Sequence, residues 1–560
     1  MVTSDDELNG AELGGGEPDD GERDRRFEAM RRVPAAVIVM VAVLVVAPAV
    51  GVTGLAAATD VGTEIGDPAA DRASSTGGGP AGVAGGGIDL GDADTLIVGD
   101  ERADYAGWSV AGVGDVNGDG HDDLLVGAPS ADTSEKNGGA AYLFYGPVDA
   151  DEIDVSEADH TFTAPDENDV AGWAVAGGDL DGDEYSDLII GVPSDDAEAT
   201  DAGAAYVVYG GSDIEDGSLP NVADVRLTGE EKRDRAGFAV DVLSAGDGEG
   251  GAAVVGAPAA DPAGNASGSV YVVDLRDGPE ETSISLADAD ATFHGEDREH
   301  VAGWAVAAGD VTDDDRSDLI VGAPGSDAEG TDAGTAYVVS DALDADGERS
   351  LADATARFAG EARGDKAGWA VAVAGDVNGD GAGDVVVGAP HNDEAGRNAG
   401  AAYVVHGGDF DDESRADASL ADADRTLLGE RRGDLAGFAV AGVDDSCDEY
   451  AAVLVGAPHH DSEAGLLAGA AYLVTGDDDG RTVDLADATA TFLGDDSVDR
   501  AGFAVADVGD VTDDDVRDIA IGAPFADDGD RDAGETAVVP GDCETADGED
   551  EDDEDDERDD

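Results

Sequence analysis

Nine-residue runs of the form Asp-x-Asn-Gly-Asp-Gly-x-x-Asp place side-chain oxygens at alternate positions of a turn, the spacing at which a hard cation is held. The first run is DVNGDGHDD, in which Asp115, Asn117 and Asp119 converge, Gly120 permits the sharp turn, His121 offers its carbonyl and Asp123 closes the set. Carboxylates crowded this closely repel one another, so a divalent cation would stabilise the turn it occupies. Calcium is the expected occupant.

Four relatives of this run follow. Asp179, Asp181, Asp183 and Asp187 with the Tyr185 carbonyl, and Asp376, Asn378, Asp380 and Asp384 with the Ala382 carbonyl, repeat the set. Asp310, Thr312, Asp314 and Asp318 with the Arg316 carbonyl, and Asp510, Thr512, Asp514 and Asp518 with the Val516 carbonyl, carry Asp315 and Asp515 where the turn glycine belongs. Aspartate tolerates positive φ less well than glycine, so these two loops are expected to bind more weakly. The opening half looks like an EF-hand, but the twelfth position is Val126, Ile190 or Val387 inside an apolar strand, not a glutamate. These loops therefore belong to sheets.

The loops recur because the chain does. An Ala-Gly-aromatic triplet has its glycine at Gly107, Gly172, Gly237, Gly303, Gly368, Gly437 and Gly502, at spacings of 65, 65, 66, 65, 69 and 65 residues. All 4 tryptophans follow that glycine (Trp108, Trp173, Trp304, Trp369), and Phe238, Phe438 and Phe503 fill the same slot elsewhere. Some twenty residues on stands Gly-Ala-Pro or a variant, from Gly127-Ala128-Pro129 to Gly522-Ala523-Pro524. Each copy closes on an alternating stretch around Tyr142, Tyr206, Tyr271, Tyr337, Tyr403 or Tyr472, with Ala537 in the seventh. In the first copy TLIVG, WSVAGV, DLLVG and AAYLFYG are strand-length apolar runs without helical periodicity. Four strands in each of seven copies predict an all-β fold, a seven-bladed β-propeller of four-stranded blades. An open solenoid is the competing arrangement, but no copy carries a distinctive cap.

The aromatic-glycine element, the metal loop and Gly-Ala-Pro, recurring in order over residues 94–542, resemble the FG-GAP repeats of the integrin alpha-subunit N-terminal propeller. The resemblance implies a propeller at a cell surface. This chain reads Ala-Gly-Trp or Ala-Gly-Phe where the family name implies Phe-Gly, and it lacks the inserted and leg domains of integrins, so integrin-style signalling does not carry over.

Outside the repeats, residues 1–32 are polar and end in RDRRFEAMRR, and 33–59 form an uncharged apolar run long enough to span a bilayer. The preceding arginines orient it with everything downstream outside, as a transmembrane anchor or, given Ala56-Ala57-Ala58, as a cleaved signal peptide. Residues 60–93 are a Gly/Ala/Asp-rich linker, and 543–560 an acidic tail that cannot order itself. With 132 acidic against 29 basic residues the net charge is −103, which excludes nucleic acid as a partner and attraction to anionic membranes, while 41% hydrophobic content still permits a core. Such a carboxylate coat with three lysines resembles proteins of salt-loving archaea. Cys447 and Cys543 are one pair or two thiols; they exclude a disulfide-dense scaffold and a four-cysteine zinc site.

No residue set that breaks the repeat suggests catalysis. His391 and the pair His459-His460 directly follow Gly-Ala-Pro and read as exposed loop residues. Arg363-Gly364-Asp365 and Arg432-Gly433-Asp434 fall where Arg, Gly and Asp are common and read as incidental, and Asn265 begins the only N-glycosylation sequon. The expected function is a non-enzymatic, calcium-stabilised, exported propeller that binds a protein or glycan at the cell surface. The alternatives are an exported polysaccharide-acting enzyme with a site in the central channel, or a structural component of the envelope.

Overall fold

The computed structural model describes residues 87–541 apart from short segments at 133–135, 197, 247, 277, 279–281, 315, 409, 411–416, 445–449, 463, 477–481 and 528–530. The polar N-terminal segment 1–32, the apolar run 33–59, the acidic tail and both cysteines lie outside the described residues. No helix among the described residues is long and apolar enough to cross a membrane.

Each copy of the repeat begins at a glycine that must lack a side chain for two reasons. Gly172 has φ +76°, and a Cβ there would lie 2.1 Å from the Ala140 carbonyl oxygen. Its own carbonyl oxygen approaches Gly127, the glycine of the preceding Gly-Ala-Pro, so closely that a Cβ on Gly127 would stand 2.2 Å from it. The two glycines are thus one contact between successive copies, and it recurs at Gly522, whose Cβ would meet the Gly107 oxygen at 2.1 Å. The seventh copy touches the first as every other copy touches its successor. The ring is closed.

Seven sheets make up the ring, each of five strands. In blade 1 the inner strand Ser109–Gly114 pairs antiparallel with Asp123–Ala128, then Ala140–Phe144, then His160–Thr163. The register runs Val110 to Val126 to Tyr142 to Thr161. The fifth strand, Gly217–Ser218, runs parallel to the fourth and comes from the next copy. This corrects the four-stranded expectation: the short outer strand is polar and two to four residues long, with no apolar alternation to reveal it. After it, a short turn buries one aliphatic residue, Leu90, Val155, Leu219, Leu286, Leu351, Leu420 or Leu485.

The sequence copy and the blade are also offset by one strand. Thr95–Val98, the run TLIVG of the first copy, is the fourth strand of blade 7, paired antiparallel with Glu535–Val539. Between blades lie seven apolar clusters of Ala, Val, Leu and Ile with a buried tyrosine in six of them and phenylalanine in five. The cluster joining the ends packs Ile97, Val508, Ala520 and Val538 of blade 7 on Leu124, Val126 and Tyr142 of blade 1. Full burial of each such Val, Leu or Ile is worth about 1.5–3 kcal/mol.

Candidate functional site

The inner strand of a blade starts at the aromatic residue and ends at the acidic loop, so the two features occupy opposite faces of the ring. On the loop face the first run folds as a turn wrapped round the Asp115 carboxylate. It accepts hydrogen bonds from the Gly118, Gly120 and Asp119 amides at 2.6, 2.8 and 3.1 Å. The Asn117 Oδ1 accepts from the Asp119 amide at 2.7 Å, and the Asp119 carboxylate from the His121 amide at 3.1 Å. Asp123, fully buried, accepts from the Val116 amide within the loop and from the Gly146 amide just beyond the third strand, both at 2.9 Å.

The fifth copy superposes this pattern residue for residue. Asp376 accepts from Gly379, Gly381 and Asp380 at 2.6, 2.7 and 3.0 Å, Asn378 from Asp380 at 2.8 Å, and Asp384 from Val377 and Gly407 at 3.0 and 2.8 Å. In the second copy Asp179 accepts from Gly182 at 2.6 Å, and Asp187 accepts from Leu180 and Gly210 at 2.8 Å. Asp179, Asp181 and Asp187 each bring an oxygen within 4.8 Å of the others, and Asp181 Oδ1 is buried without a partner. In the fourth copy Asp310 accepts from Asp313 at 2.8 Å and Asp318 from Val311 at 3.0 Å. In the seventh Asp510 accepts from Asp514 and Asp515 at 3.0 and 2.9 Å, and Asp518 from Thr512 at 2.9 Å. The amides of Tyr185, Ala382, Arg316 and Val516 donate to Asp183, Asp380, Asp314 and Asp514 as His121 does to Asp119, at 2.9–3.1 Å.

Two features of these turns escaped the sequence. The sharp-turn position is Glu184 in the second copy, at φ +76°, against Gly120 at +95° and Gly381 at +97°. That loop therefore shares the unfavourable turn residue of the seventh, where Asp515 sits at +68°. The fourth position is also left-handed throughout, as Gly118, Gly182, Gly379, Asp313 and Asp513. Burial, the largest cause, pushes the closing carboxyls upward: Asp123, Asp318 and Asp518 to about 6, Asp187 and Asp384 to about 7. The donor set is oxygen only, which suits a hard divalent cation and not a soft one. The third copy instead closes a backbone turn, the Ala245 amide donating to the Gly250 carbonyl at 2.9 Å.

The opposite face carries a closed ring of aromatic side chains. Trp108, Trp173, Phe238, Trp304, Trp369, Phe438 and Phe503 touch in sequence and return to Trp108, with centroids 4.5–5.7 Å apart and planes tilted by 45–50°. Beneath it, between blades, Asp104, Asp169, Asp234, His300, Asp365, Asp434 and Asp499 stand in equivalent buried places. Asp365 and Asp434 end the two Arg-Gly-Asp tripeptides, so neither aspartate is displayed. The Ser267 of the Asn265 sequon is buried, and its hydroxyl accepts from the Ala263 amide at 3.0 Å.

The three histidines after Gly-Ala-Pro are not exposed, which corrects their reading as loop residues. His391 and His459 are half-buried beside the aromatic ring, and burial lowers both to about 4. His460 is buried, with Nδ1 placed 3.0 Å from Asp434 Oδ2 and 3.1 Å from the Tyr472 hydroxyl. Glu430, Asp434 and His460 form the other convergent group of metal-binding types among the described residues. Asp434 and His460 are buried, and His460 Nδ1 is engaged by Asp434 and the Tyr472 hydroxyl. A groove of about 670 Å³ at the outer edge of blades 3 and 4 is lined by Glu296, Glu348 and Asp353, among others. Glu296 is already engaged by the Tyr337 hydroxyl at 2.9 Å and by Arg357 at 3.5 Å.

Residues 106–144, 171–208, 302–339 and 367–405 match the FG-GAP repeat, that is, the inner three strands of blades 1, 2, 4 and 5. The chain is 35% identical over 102 residues to integrin alpha pat-2 of Caenorhabditis briggsae, covering 17% of this chain and 8% of that protein. It is 38% identical over 138 residues to the Caenorhabditis elegans pat-2 protein, 22% of this chain and 10% of that one. It is also 31% identical over 230 residues to phosphatidylinositol-glycan-specific phospholipase D of Rattus norvegicus, 39% of this chain and 26% of that protein. The matched stretches thus span at most about a quarter of these relatives. The chain is a seven-bladed β-propeller that carries FG-GAP repeats and is related, through them, to integrin alpha and phosphatidylinositol-glycan-specific phospholipase D.

Proposed function

We propose that this chain is an extracytoplasmic, calcium-stabilised propeller that binds a protein or glycan at the cell surface and performs no chemistry of its own. The observation that carries the reading is the recurrence of one oxygen-only loop in five blades on a single face. Position by position, Asp115, Asn117, Asp119, the His121 carbonyl and Asp123 would hold a calcium ion in the first loop, with the equivalent residues in the others. Asp181 Oδ1, buried without a partner, has the place of a ligand atom awaiting its cation. A repeated cation whose closing ligand, Asp123 or Asp384, also ties the loop to the turn beyond the third strand has a structural role. The apolar run 33–59 would deliver the ring across the membrane, as a retained anchor or a cleaved signal.

The likeness to a phosphatidylinositol-glycan-specific phospholipase D supports a second reading, an exported hydrolase, and extends to 26% of the rat protein. Glu430, Asp434 and His460 would be its nearest candidate set, but their burial argues for the binding role. The test is one experiment with two arms. Full-length protein in high salt is screened against cell-surface proteins, glycans and a phosphatidylinositol-glycan, with and without chelator. Retention of a protein or glycan that is lost together with thermal stability on chelation is expected. Turnover of any glycan or phosphatidylinositol-glycan would replace the binding reading, and unchanged melting on chelation would remove calcium from it.

A further inference from the structure

Around the aromatic ring, the residue two before each triplet glycine has a left-handed backbone in every copy: Tyr105, Val170, Arg235, Val301, Lys366, Leu435 and Arg500, at φ +52° to +63°. Five of them, Arg235, Val301, Lys366, Leu435 and Arg500, donate a backbone hydrogen bond to a turn of the neighbouring hairpin. Arg235 donates to the Asp201 carbonyl, Lys366 to Asp332 and Arg500 to Leu467. Where the facing residue is aspartate, the cation has a carboxylate: Arg235 lies beside Asp201, and Lys366 Nζ is 2.9 Å from Asp332 Oδ1. At Arg500 that aspartate is replaced by Leu467. Among the described residues Arg500 has no carboxylate partner, its Nε is buried without an acceptor, and its guanidinium lies 4.7 Å from the centre of the Phe525 ring. In a chain of net charge −103 a cation left without an acid is a local departure from the surface chemistry.

The same turn breaks a second rule. Leu466 is 69% exposed and Val498 is 44% exposed; with Tyr185 they are the exposed large hydrophobics of the described residues. The two are adjacent, the Val498 amide donating to the Leu466 carbonyl at 3.0 Å. Val498 also holds φ +83°, where the equivalent positions in blades 5 and 6 are Gly364 and Gly433. A β-branched residue there is strained, and its exposure brings no packing in return. Unpaired cation, exposed aliphatic pair and backbone strain coincide in one place. His459 and Phe525 flank it, the latter 6.2 Å from Phe503 of the aromatic ring.

We propose that Leu466, Val498 and Arg500, between blades 6 and 7, form a docking surface for a protein segment that presents an aspartate or glutamate next to an aliphatic side chain. The incoming carboxylate takes the place that Asp332 fills beside Lys366, and the aliphatic group covers Leu466 and Val498. Aliphatic and not aromatic side chains are what the patch exposes, which favours a peptide over the face of a sugar ring. The inference rests on the binding role proposed above and assigns it a site.

The test uses the full chain in about 1 M salt, where the Debye length is ~3 Å and only contact pairing survives. The protein is applied to an array of synthetic peptides in which Asp, Glu, Asn or Gln alternates with Leu, Val or Ala, printed beside neutral and uronate oligosaccharides. Retention on Asp/Glu peptides with Leu or Val is expected to exceed that on their amide or alanine counterparts at least about tenfold. Leu467→Asp, which supplies the carboxylate present at Asp332, is expected to abolish the retention with melting no lower than wild type. Arg500→Gln should also abolish it. Equal retention by Leu467→Asp, or no preference for acidic-aliphatic peptides, overturns the site. Retention of oligosaccharides alone overturns this inference and leaves the binding role standing, whereas retention of nothing overturns both.

Discussion

The two faces of the ring repeat in different currencies. On the loop face the side chains recur: five blades place oxygen donors in the same order, and the closing carboxyl accepts from an amide of its own loop each time, the second residue's in four copies and the third residue's, Thr512, in the seventh. On the aromatic face the backbone recurs while side chains diverge, as Tyr105, Val170, Arg235, Val301, Lys366, Leu435 and Arg500 share one left-handed conformation. The contrast separates what holds the wheel from what distinguishes its sectors. The cation site proposed for the loops would need a fixed donor set, so substitution there would be restricted. A rim position held by its backbone can carry any side chain that tolerates the strain.

The sharpest way to break this contrast is to attack the backbone on which both faces depend. Gly127→Val forces a side chain against the Gly172 carbonyl, 2.2 Å from where Cβ would stand, and is expected to cost more than about 4 kcal/mol. Circular dichroism should find little folded protein even with calcium present.

Next in size is calcium itself. Chelation should lower the melting temperature, each site contributing about 2.7 kcal/mol at a hundredfold excess over Kd. Asp384→Asn should remove one site and leave a buried polar pair imperfectly matched, about 1–3 kcal/mol by calorimetry. Glu184→Gly should act in the opposite direction, raising the calcium affinity of the second loop by relieving a strain of about 1 kcal/mol. An unchanged affinity would show that the turn residue does not limit binding.

On the aromatic face the buried carboxyls give a pH signature. Burial first, then the Asp195 charge, pushes Asp169 up to about 7. The folded state therefore binds more protons than the unfolded state between about pH 4 and 7, and stability falls as pH rises through that window. Asp169→Asn removes the ionisation, so it should gain stability relative to wild type at pH 8 and lose that advantage at pH 4. A parallel pH dependence in both proteins would exclude Asp169 as a source. The smallest expected effect is Asp332→Ala, which leaves Lys366 as Arg500 is left, at less than about 1 kcal/mol. A larger loss would mean that rim pairs hold the blades together.

Much of this was legible before folding. The period, the strand-length runs and the paired glycines determine the wheel, because the Gly-Ala-Pro of one copy and the Ala-Gly-aromatic triplet of the next turn out to be the halves of one interblade contact, Gly127 on Gly172. The loop residues were found by alternation of oxygen donors. The short fifth strand Gly217–Ser218 was not, since it has neither apolar residues nor length. The histidines differ for a related reason: a residue after proline in a loop looks exposed, but His460 is roofed by Tyr472 and Asp434, which the folding of its own repeat brings to it. That Arg500 has no carboxylate partner among the described residues is likewise invisible locally, because Leu467 lies 33 positions upstream and matters only by comparison with Asp332 and Lys366.

Thr95–Val98 completes the last blade, and this has a consequence for assembly. Thr95 finds Val538 only after nearly the whole chain has emerged, and a loop of that span carries an entropic penalty of roughly 5 kcal/mol. The seam is therefore the last joint to form and the first to part. A truncation that reaches Thr95–Val98 or Glu535–Val539 strips blade 7 of a strand and opens the ring at that joint.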